Sequence, residues 1–411
     1  MQEQKKTKRQ ALEGVKILDF GWALAGSLMS KYLADCGAEV IRVESITRPD
    51  LTRTNRVPSY TSPSNPDDKP WFTHYNTSKY SLNINLKNPS AMIVIEKLIA
   101  RADVVAENFT PGTMKKMGLD YERIKIIKPD IIMVSESGYG QTGPMARQWA
   151  VDGTGGALSG YLDLTGWSDR GPTLPLAPYG DTLVPYLTAT AVVAALDYRR
   201  RTGKGQYIDT SMVEVCVHPS TPWILDWQAN SHLQSRRGNR ADDAAPHGIF
   251  PCKGDDRWCA IAVFTDGEWR TLGRVMGNPA WAEESRFATL PGRKEHEDDL
   301  ERLVSEWTRM YSPEELMEKL QKAGVAAGVV QTAEDILDHD SHIKERKLFV
   351  PLEHPVIGTF SHPTPPFKMS KTEAWVRTSP CLGEHTEYIC TKLLGMTDEE
   401  FVGLMQDEVF T

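Results

Sequence analysis

"VKILDFGWALAGSLMSKYLADCGAEVIRVE", Val15 to Glu44, is the stretch on which the fold turns. "VKILDF" is an apolar run of strand length. "LMSKYLADCG" has helical composition and stops on a glycine, and "AEVIRVE" reads as a second strand. Strand, helix and strand in this order make a βαβ unit, which implies a parallel sheet. The pattern recurs further on, with "SAMIVIEKLIARA" and "YERIKIIKP" as helices and "DVVAENF" and "DIIMVSESGYG" as strands. In such a sheet, functional loops are expected at the carboxyl ends of the strands.

Outward from this unit, residues 45–72 are rich in Pro, Ser, Asp and Arg with no period, a long excursion of the kind that carries function or stays disordered. Asp181 stands ahead of a long helical run closed by "RRRTGKG". Local chemistry predicts Asp181 as N-cap, Pro185 in the first turn and a cationic, glycine-stopped end. "GQYIDTSMVEVCV" then predicts a strand leading into a helix. "GIFPCKGDDRWCAIAVFTDGEWRTLGRVMG" reads as a hairpin and helix, followed by two amphipathic helices and the strand "VAAGVVQT". The division predicted is a large α/β domain with a parallel sheet over 11–215, completed by 340–411, a linker over 216–235 and a small α/β domain over 236–335. From about His339 the chain reads as proline-studded and extended.

Composition narrows the function. A net charge of −8 argues against nucleic-acid binding, and with no run of 18 apolar residues a membrane span is not expected. The start, "MQEQKKTKRQALEG", has charges without an apolar core, so it does not read as a signal peptide. Six scattered cysteines without CxxC spacing predict reduced thiols, a cytoplasmic location and no zinc site. "GWALAGS" lacks the lysine of a phosphate loop, and no GxGxxG, HExxH or GxSxG occurs. "DHDSH" near residue 340 lies in a polar loop, and no metal is predicted.

Five segments in series resemble one family, the class III CoA-transferases, a superfamily that also holds the 2-methylacyl-CoA racemases. They are Val15–Glu44, "ADVVAENFTPGTMKKMGLDYERI", "SGYGQTGP", "YGDTLV…AALDYRRRTGKGQYIDTSM" and "APHGIFPCKGDDRWCAIAV". The resemblance implies an interlaced dimer of Rossmann-like and small domains. It implies a coenzyme A thioester as co-substrate with no permanently bound cofactor, and a carboxylic acid as acceptor. Asp181, in "YGD", matches the family's covalent nucleophile. The implied route runs through an aspartyl anhydride and an aspartyl-CoA thioester, which split one difficult exchange into easier steps. Asp152 matches an acid lining the active site. Leu24 and Ala25 match the loop over the thioester; Ile84, Asn85, Leu86 and Lys87, with Asn108, Phe109 and Lys116, match CoA-contacting positions.

Departures from the family pattern sharpen the expectation. Leu24 replaces a glutamine and Ser45 an arginine of formyl-CoA transferase-like members; Arg48 or Arg53 is the expected substitute for that arginine. The racemases carry a histidine just before the acid matched by Asp152. Here it is Val151, which cannot move a proton, so transfer is preferred over racemisation or epimerisation. A supporting subunit of a heteromer is the other alternative. "VESITRPDLTR" and the small-domain hairpin look most like members acting on aromatic or dicarboxylic acids, benzylsuccinate among them. Trp22, Trp149, Tyr161, Trp167, Tyr179 and Tyr186 are the aromatics expected near an apolar acid.

Overall fold

The computed structural model describes residues 9–54, 58–59, 62–175 and 179–411. Lys5, Lys6 and Lys8 of the basic start, and residues 176–178 ahead of Asp181, lie outside them. The chain divides into two compact units. One comprises residues 9–162, 174–233 and 344–411, the other 163–173 and 234–343.

The first unit is built on six parallel strands: β1 (Lys16–Asp19), β2 (Glu39–Glu44), β3 (Tyr80–Asn83), β4 (Val104–Glu107), β5 (Ile132–Ser137) and β6 (Gln206–Ser211). Their order, β3-β2-β1-β4-β5-β6, is the doubly wound arrangement, with its topological switch between β1 and β4. Helices α1 (Ala25–Asp35), α2 (Pro70–Tyr75), α3 (Ala91–Arg101), α4 (Tyr121–Ile127), α5 (Asp152–Leu158) and α6 (Tyr179–Thr202) punctuate the strands. The strands β1, β2, β4 and β5 are buried almost throughout, which is why they read as continuous apolar runs rather than alternating ones. Two clusters form the core, one around Leu18, Ile41, Leu82, Ile95, Val105 and Met133, the other around Ile17, Val40, Val104, Val134 and Val192.

Helix α6 positions the site. It buries Val184, Pro185, Thr188, Ala189, Val192 and Ala195 along one stripe, while its exposed residues lie between them. Its far end is pinned by Arg199, whose Nε donates to Asp130 at 2.7 Å and whose Nη1 donates to Asp103 at 2.7 Å. These acids precede β5 and β4, so the helix is registered on the sheet. Strand β6 runs directly into α7 (Met212–Val217), and α8 (Thr221–Asn230) follows. The stretch 216–235 read as a linker is therefore largely helical, and the passage to the second unit falls at 233–234.

The tail past residue 343 is not simply extended. β10 (Phe349–His354) and β11 (Gly358–Pro363) form an antiparallel hairpin, and Ile389, Cys390, Met396, Leu404 and Val409 join the first core cluster. β3 and α2 escaped the sequence reading: "KYSLN" is short and mixed in polarity, and "PWFTHY" is a single helical turn or so after a proline. The second unit holds an antiparallel sheet, β7 (His247–Pro251), β8 (Trp258–Ala262) and β9 (Ala326–Val329). It is covered by α9 (Asp266–Val275), α10 (Glu297–Thr308) and α11 (Pro313–Lys322) around Phe250, Ile261, Trp269, Leu300 and Leu316. Thr265 with Glu268 and Ser312 with Glu315 close capping boxes on α9 and α11.

A buried charge network braces the β1–β3 side. Arg42 donates to Asp50 and Ser27 at 2.6 Å each and lies 3.7 Å from Glu44 and 3.9 Å from Asp19. Arg53 pairs with Glu44 at 2.8 Å, and Lys79 donates to Asp19, Asn76 and the Ser27 carbonyl. Removing Arg42 leaves three buried acids short of a cation, which costs about 3–5 kcal/mol. Arg42→Ala is accordingly expected to unfold at clearly lower denaturant concentration than the native chain; an unchanged midpoint would show that the network is dispensable.

Candidate active site

Acids stand at or next to the carboxyl ends of four strands of the parallel sheet, Asp19 on β1, Glu44 on β2, Glu107 on β4 and Glu136 on β5, with Asp209 further back on β6. Those on β1 and β2 are matched by Arg42, Arg53 and Lys79. Burial would raise the Glu44 carboxyl, but Arg53 and Arg42 outweigh it and hold it below its ordinary value. Burial brings Lys79 down to about 8 against the opposing pull of Asp19.

Beyond the switch point this compensation stops. Glu136 is only 3% exposed, and neither of its carboxyl oxygens has a hydrogen-bond partner among the described residues. Thr188 stands beside it, but its hydroxyl donates to the Val184 carbonyl at 2.9 Å. Burial, with the charges of Asp181 and Glu107 added, pushes Glu136 up to about 8. Glu107 accepts from the Phe109 N–H at 2.7 Å and is still raised to about 7 by burial.

Asp181 and Asp152 meet at the start of α6. The Asp181 N–H donates to Asp152 Oδ1 at 3.0 Å, so Asp152, from the first turn of α5, satisfies one of the unpaired N–H groups of α6. This corrects the predicted cap: Asp181 lies inside the first turn, the third residue of a helix that begins at Tyr179, and Pro185 is its seventh. Lacking an N–H, Pro185 cannot bond the Asp181 carbonyl as a regular i+4 residue would. Gly180 makes room for the contact, since a Cβ there would lie 3.0 Å from Asp152 Oδ1 and 3.1 Å from Met212. The Asp181 side chain is raised to about 6, first by burial and then by the charge of Asp152. A helix N-terminus alone would lower it; burial wins.

The switch-point crevice gathers Leu24, Ala25, Asn108 and Phe109. Asn108 locks it: its Oδ1 accepts from the Trp22 N–H at 2.7 Å and its Nδ2 donates to the Trp22 carbonyl at 2.9 Å. Gly26 is needed there because a Cβ would sit 2.6 Å from Asn108 Cγ. Leu24 and Ala25 are buried. Arg48 is exposed and lies over the Trp22 ring at 4.9 Å, with no ion pair among the described residues. Arg53, the other candidate for the missing arginine, is buried and committed to Glu44 and Asp67. Of residues 84–87, Ile84 is part of the core and the Asn85 N–H bonds the Val409 carbonyl, while Leu86 is partly buried and Lys87 exposed. Lys116 is exposed as well.

The aromatics separate. Tyr161 stacks on Tyr179, and Tyr186 on Tyr32, each at 4.4 Å, whereas Trp149 is largely exposed and Trp167 belongs to the second unit, against Gly238. Glu107 and Glu136 were not singled out from the sequence. The available signal was an acid inside otherwise apolar strand runs, "DVVAENF" and "IIMVSES". No group of His, Cys, Asp and Glu among the described residues has metal-binding geometry.

A doubly wound sheet with anchored loops at its switch point, and a half-buried carboxylate of raised pKa at a helix start, suit group transfer on a bound ester. The profile of CoA-transferase family III matches residues 12–386, and the chain belongs to that family. It is 33% identical to succinyl-CoA–D-citramalate CoA-transferase of Chloroflexus aurantiacus, over 97% of this chain and 98% of that one. It is 31% identical to the succinyl-CoA–L-malate CoA-transferase beta subunit of the same organism, over 97% and 98%. A solved CAIB/BAIF family protein from Brucella suis has a TM-score of 0.85 at 30% identity, covering 93% of this chain and 99% of that one. The chain is thus a CoA-transferase, and CoA thioesters and carboxylates are the substrates consistent with its family.

The ionisation of the site can be read directly. Glu136 carries its proton at neutral pH, so the infrared spectrum is expected to show a protonated-carboxyl band that titrates near 8 and is missing from Glu136→Gln. An identical band in Glu136→Gln would assign the proton elsewhere.

Proposed function

We propose that this chain moves CoA from an acyl-CoA, with succinyl-CoA the favoured donor, to a dicarboxylic acid, with Asp181 as nucleophile. The observation that carries the reading is the Asp181 carboxylate, half-buried at the head of α6 beside Asp152 in a chain of this family. The Asp181 oxygen attacks the thioester carbonyl, the C–S bond breaks and CoA leaves as thiolate, giving an aspartyl anhydride. The thiolate returns to the Asp181 carbonyl, expels the donor acid and forms an aspartyl-CoA thioester. The acceptor carboxylate attacks that thioester to give a second anhydride and free thiolate. Attack of the thiolate on the acceptor's carbonyl then yields the new acyl-CoA and frees Asp181. Asp152, through its bond to the Asp181 N–H, holds the first turn of α6 in place for these steps.

The two Chloroflexus relatives are named for succinyl-CoA and for hydroxylated dicarboxylic acids, which supports that donor and a dicarboxylic acceptor. Benzylsuccinate falls within the class. Arg48 over Trp22, with Lys87 and Lys116, supplies exposed cations for the phosphates of CoA, and Leu24, Ala25, Asn108 and Phe109 shape the crevice for its thioester end. Racemase chemistry is not favoured: Val151 is exposed and carries no exchangeable side-chain proton. Six free cysteines suit a cytoplasmic location.

We further propose an interlaced assembly, with a second copy or a related chain. Helix α8 buries none of its residues, and Trp223, Ile224, Leu225 and Trp227 are all exposed on it, an apolar surface of a size that marks interfaces. Sedimentation of the purified chain is expected to show a dimer; a monomer active without any added chain would remove this assembly.

Mixing the protein with succinyl-CoA and trapping with hydroxylamine is expected to label the Asp181 peptide, with no label in Asp181→Asn. Labelling should rise as pH climbs through about 6, because the attacking group must be ionised. Asp152→Asn removes a neighbouring negative charge and moves that rise to lower pH. Label on another residue, or an acid limb indifferent to Asp152, would overturn the mechanism.

A further inference from the structure

Asp152 and Asp181 stand 29 residues apart, and the chain between their helices leaves the first unit on the way. Residues 163–173 belong to the second unit, whereas Leu162 and Leu174, on either side of them, belong to the first. The loop therefore has its stems in the unit that carries the aspartates and its tip in the other. The cycle proposed above gives this excursion no task.

Both stems are packed on the aspartate helices. Tyr161 stacks on Tyr179, the first residue of α6, with ring centroids 4.4 Å apart. A Cβ at Gly156 of α5 would lie 3.5 Å from Leu162, and one at Gly153, next to Asp152, would lie 3.7 Å from Leu174. Gly153 and Gly156 are three residues apart and share one face of α5, so the two leucines rest on that face. From the same helix Asp152 accepts the Asp181 N–H at 3.0 Å.

The tip is clamped by one side chain. The Thr173 N–H donates to the Thr165 carbonyl at 2.9 Å, which shuts the loop on itself, and Gly166 turns it with a φ of 127°. Arg236 of the second unit reaches in: its Nη1 donates to the Asp163 carbonyl and to Asp163 Oδ1 at 2.8 Å each, and its Nε to the Arg170 carbonyl at 3.2 Å. One planar guanidinium thus ties the start of the loop to its far side, which a lysine cannot do. The Asp163 side chain is 66% exposed, so its charge counts for little and the two carbonyls are the anchors. A second hold lies next to it. The Gly238 N–H donates to the Gly166 carbonyl at 2.8 Å, and the Trp167 ring lies so close that a Cβ at Gly238 would come within 2.3 Å of it.

We infer that Arg236 is a positioning residue for the carboxylate pair: by fixing the 163–173 loop it sets the spacing of α5 and α6, and with it the contact of Asp152 with Asp181. The inference rests on the reading of Asp181 as nucleophile and extends it to a side chain whose hydrogen bonds, among the described residues, go to the loop. Two helix starts joined by a loose loop let the reacting oxygen drift, and a misplacement of about 1 Å costs on the order of 100-fold in rate.

R236A tests it by two readings. Carbon-13 NMR of labelled aspartate carboxyls follows the titration of Asp181, identified by the signal missing from Asp181→Asn. The native midpoint is expected at about 6, and in R236A it should fall, because an Asp181 packed less closely on α5 loses burial and the charge of Asp152 together. The rate of Asp181 labelling by succinyl-CoA should drop roughly 10- to 100-fold, while the concentration for half-maximal labelling changes by less than about threefold. R236K should regain little of that rate, and methylguanidinium added to R236A should restore most of it. An unmoved Asp181 midpoint in R236A, or a rate that methylguanidinium does not restore, confines Arg236 to a structural role and overturns the inference. If R236A fails to fold, Trp167→Ala loosens the same loop at Gly238 and must lower the midpoint in its place. Native protein that never labels at Asp181, with a midpoint that still falls in R236A, keeps the positioning role and sinks the nucleophile.

Discussion

The site depends on where positive charge is withheld. Acids close β1, β2, β4 and β5 on the same edge of the sheet, yet every buried cation among the described residues of that edge, Arg42, Arg53 and Lys79, serves the β1–β3 side. A buried carboxylate without a cation cannot keep its charge cheaply, and the group responds by holding its proton. Glu107 and Glu136 do so, at about 7 and about 8. The result is a region where one negative charge is tolerated and a second is resisted. Asp181, at about 6, is the member of the group that gives up its proton first.

That ordering suits the chemistry proposed for Asp181. A carboxylate stabilised by an arginine would be a poor nucleophile, because the attack would have to break the ion pair. Asp181 has instead a helix start, an N–H committed to Asp152 and the protonated Glu136 within electrostatic reach. Helix dipole and backbone geometry orient it without neutralising it. The roles of the two aspartates thus separate: Asp152 accepts the Asp181 N–H at the start of α6, and Asp181 is the group to which the proposed chemistry falls.

Much of this was legible in the residues. The parallel sheet showed in "VKILDF", "AEVIRVE" and "DIIMVSES" because strands buried on both faces are continuously apolar, and α6 showed because its length and ends are well marked. Strand β3 was not, since its four residues sit where the tail from 377 to 411 packs, and that tertiary support has no local trace. The position of Asp181 within its helix was missed for a related reason. A local pattern names a good capping residue but cannot see that another aspartate, 29 residues earlier in the chain, occupies the capping role. Arg48 and Arg53 were equivalent candidates on paper; only burial and pairing separate the exposed cation from the structural one.

The same electrostatics constrains the order of events in the proposed cycle. While Asp181 is ionised, its charge helps keep Glu136 protonated. Once Asp181 is esterified that charge is gone, the repulsion on Glu136 relaxes and its affinity for the proton falls. The site then accepts a new negative charge, which is what the approaching thiolate or acceptor carboxylate brings. When the ester is resolved and the Asp181 carboxylate returns, a second charge is again resisted, and the departing anion is pushed outward. In the proposed cycle the charge of Asp181, which adds to the burial that keeps Glu136 protonated, would thus favour anion entry in the covalent state and anion exit in the free one.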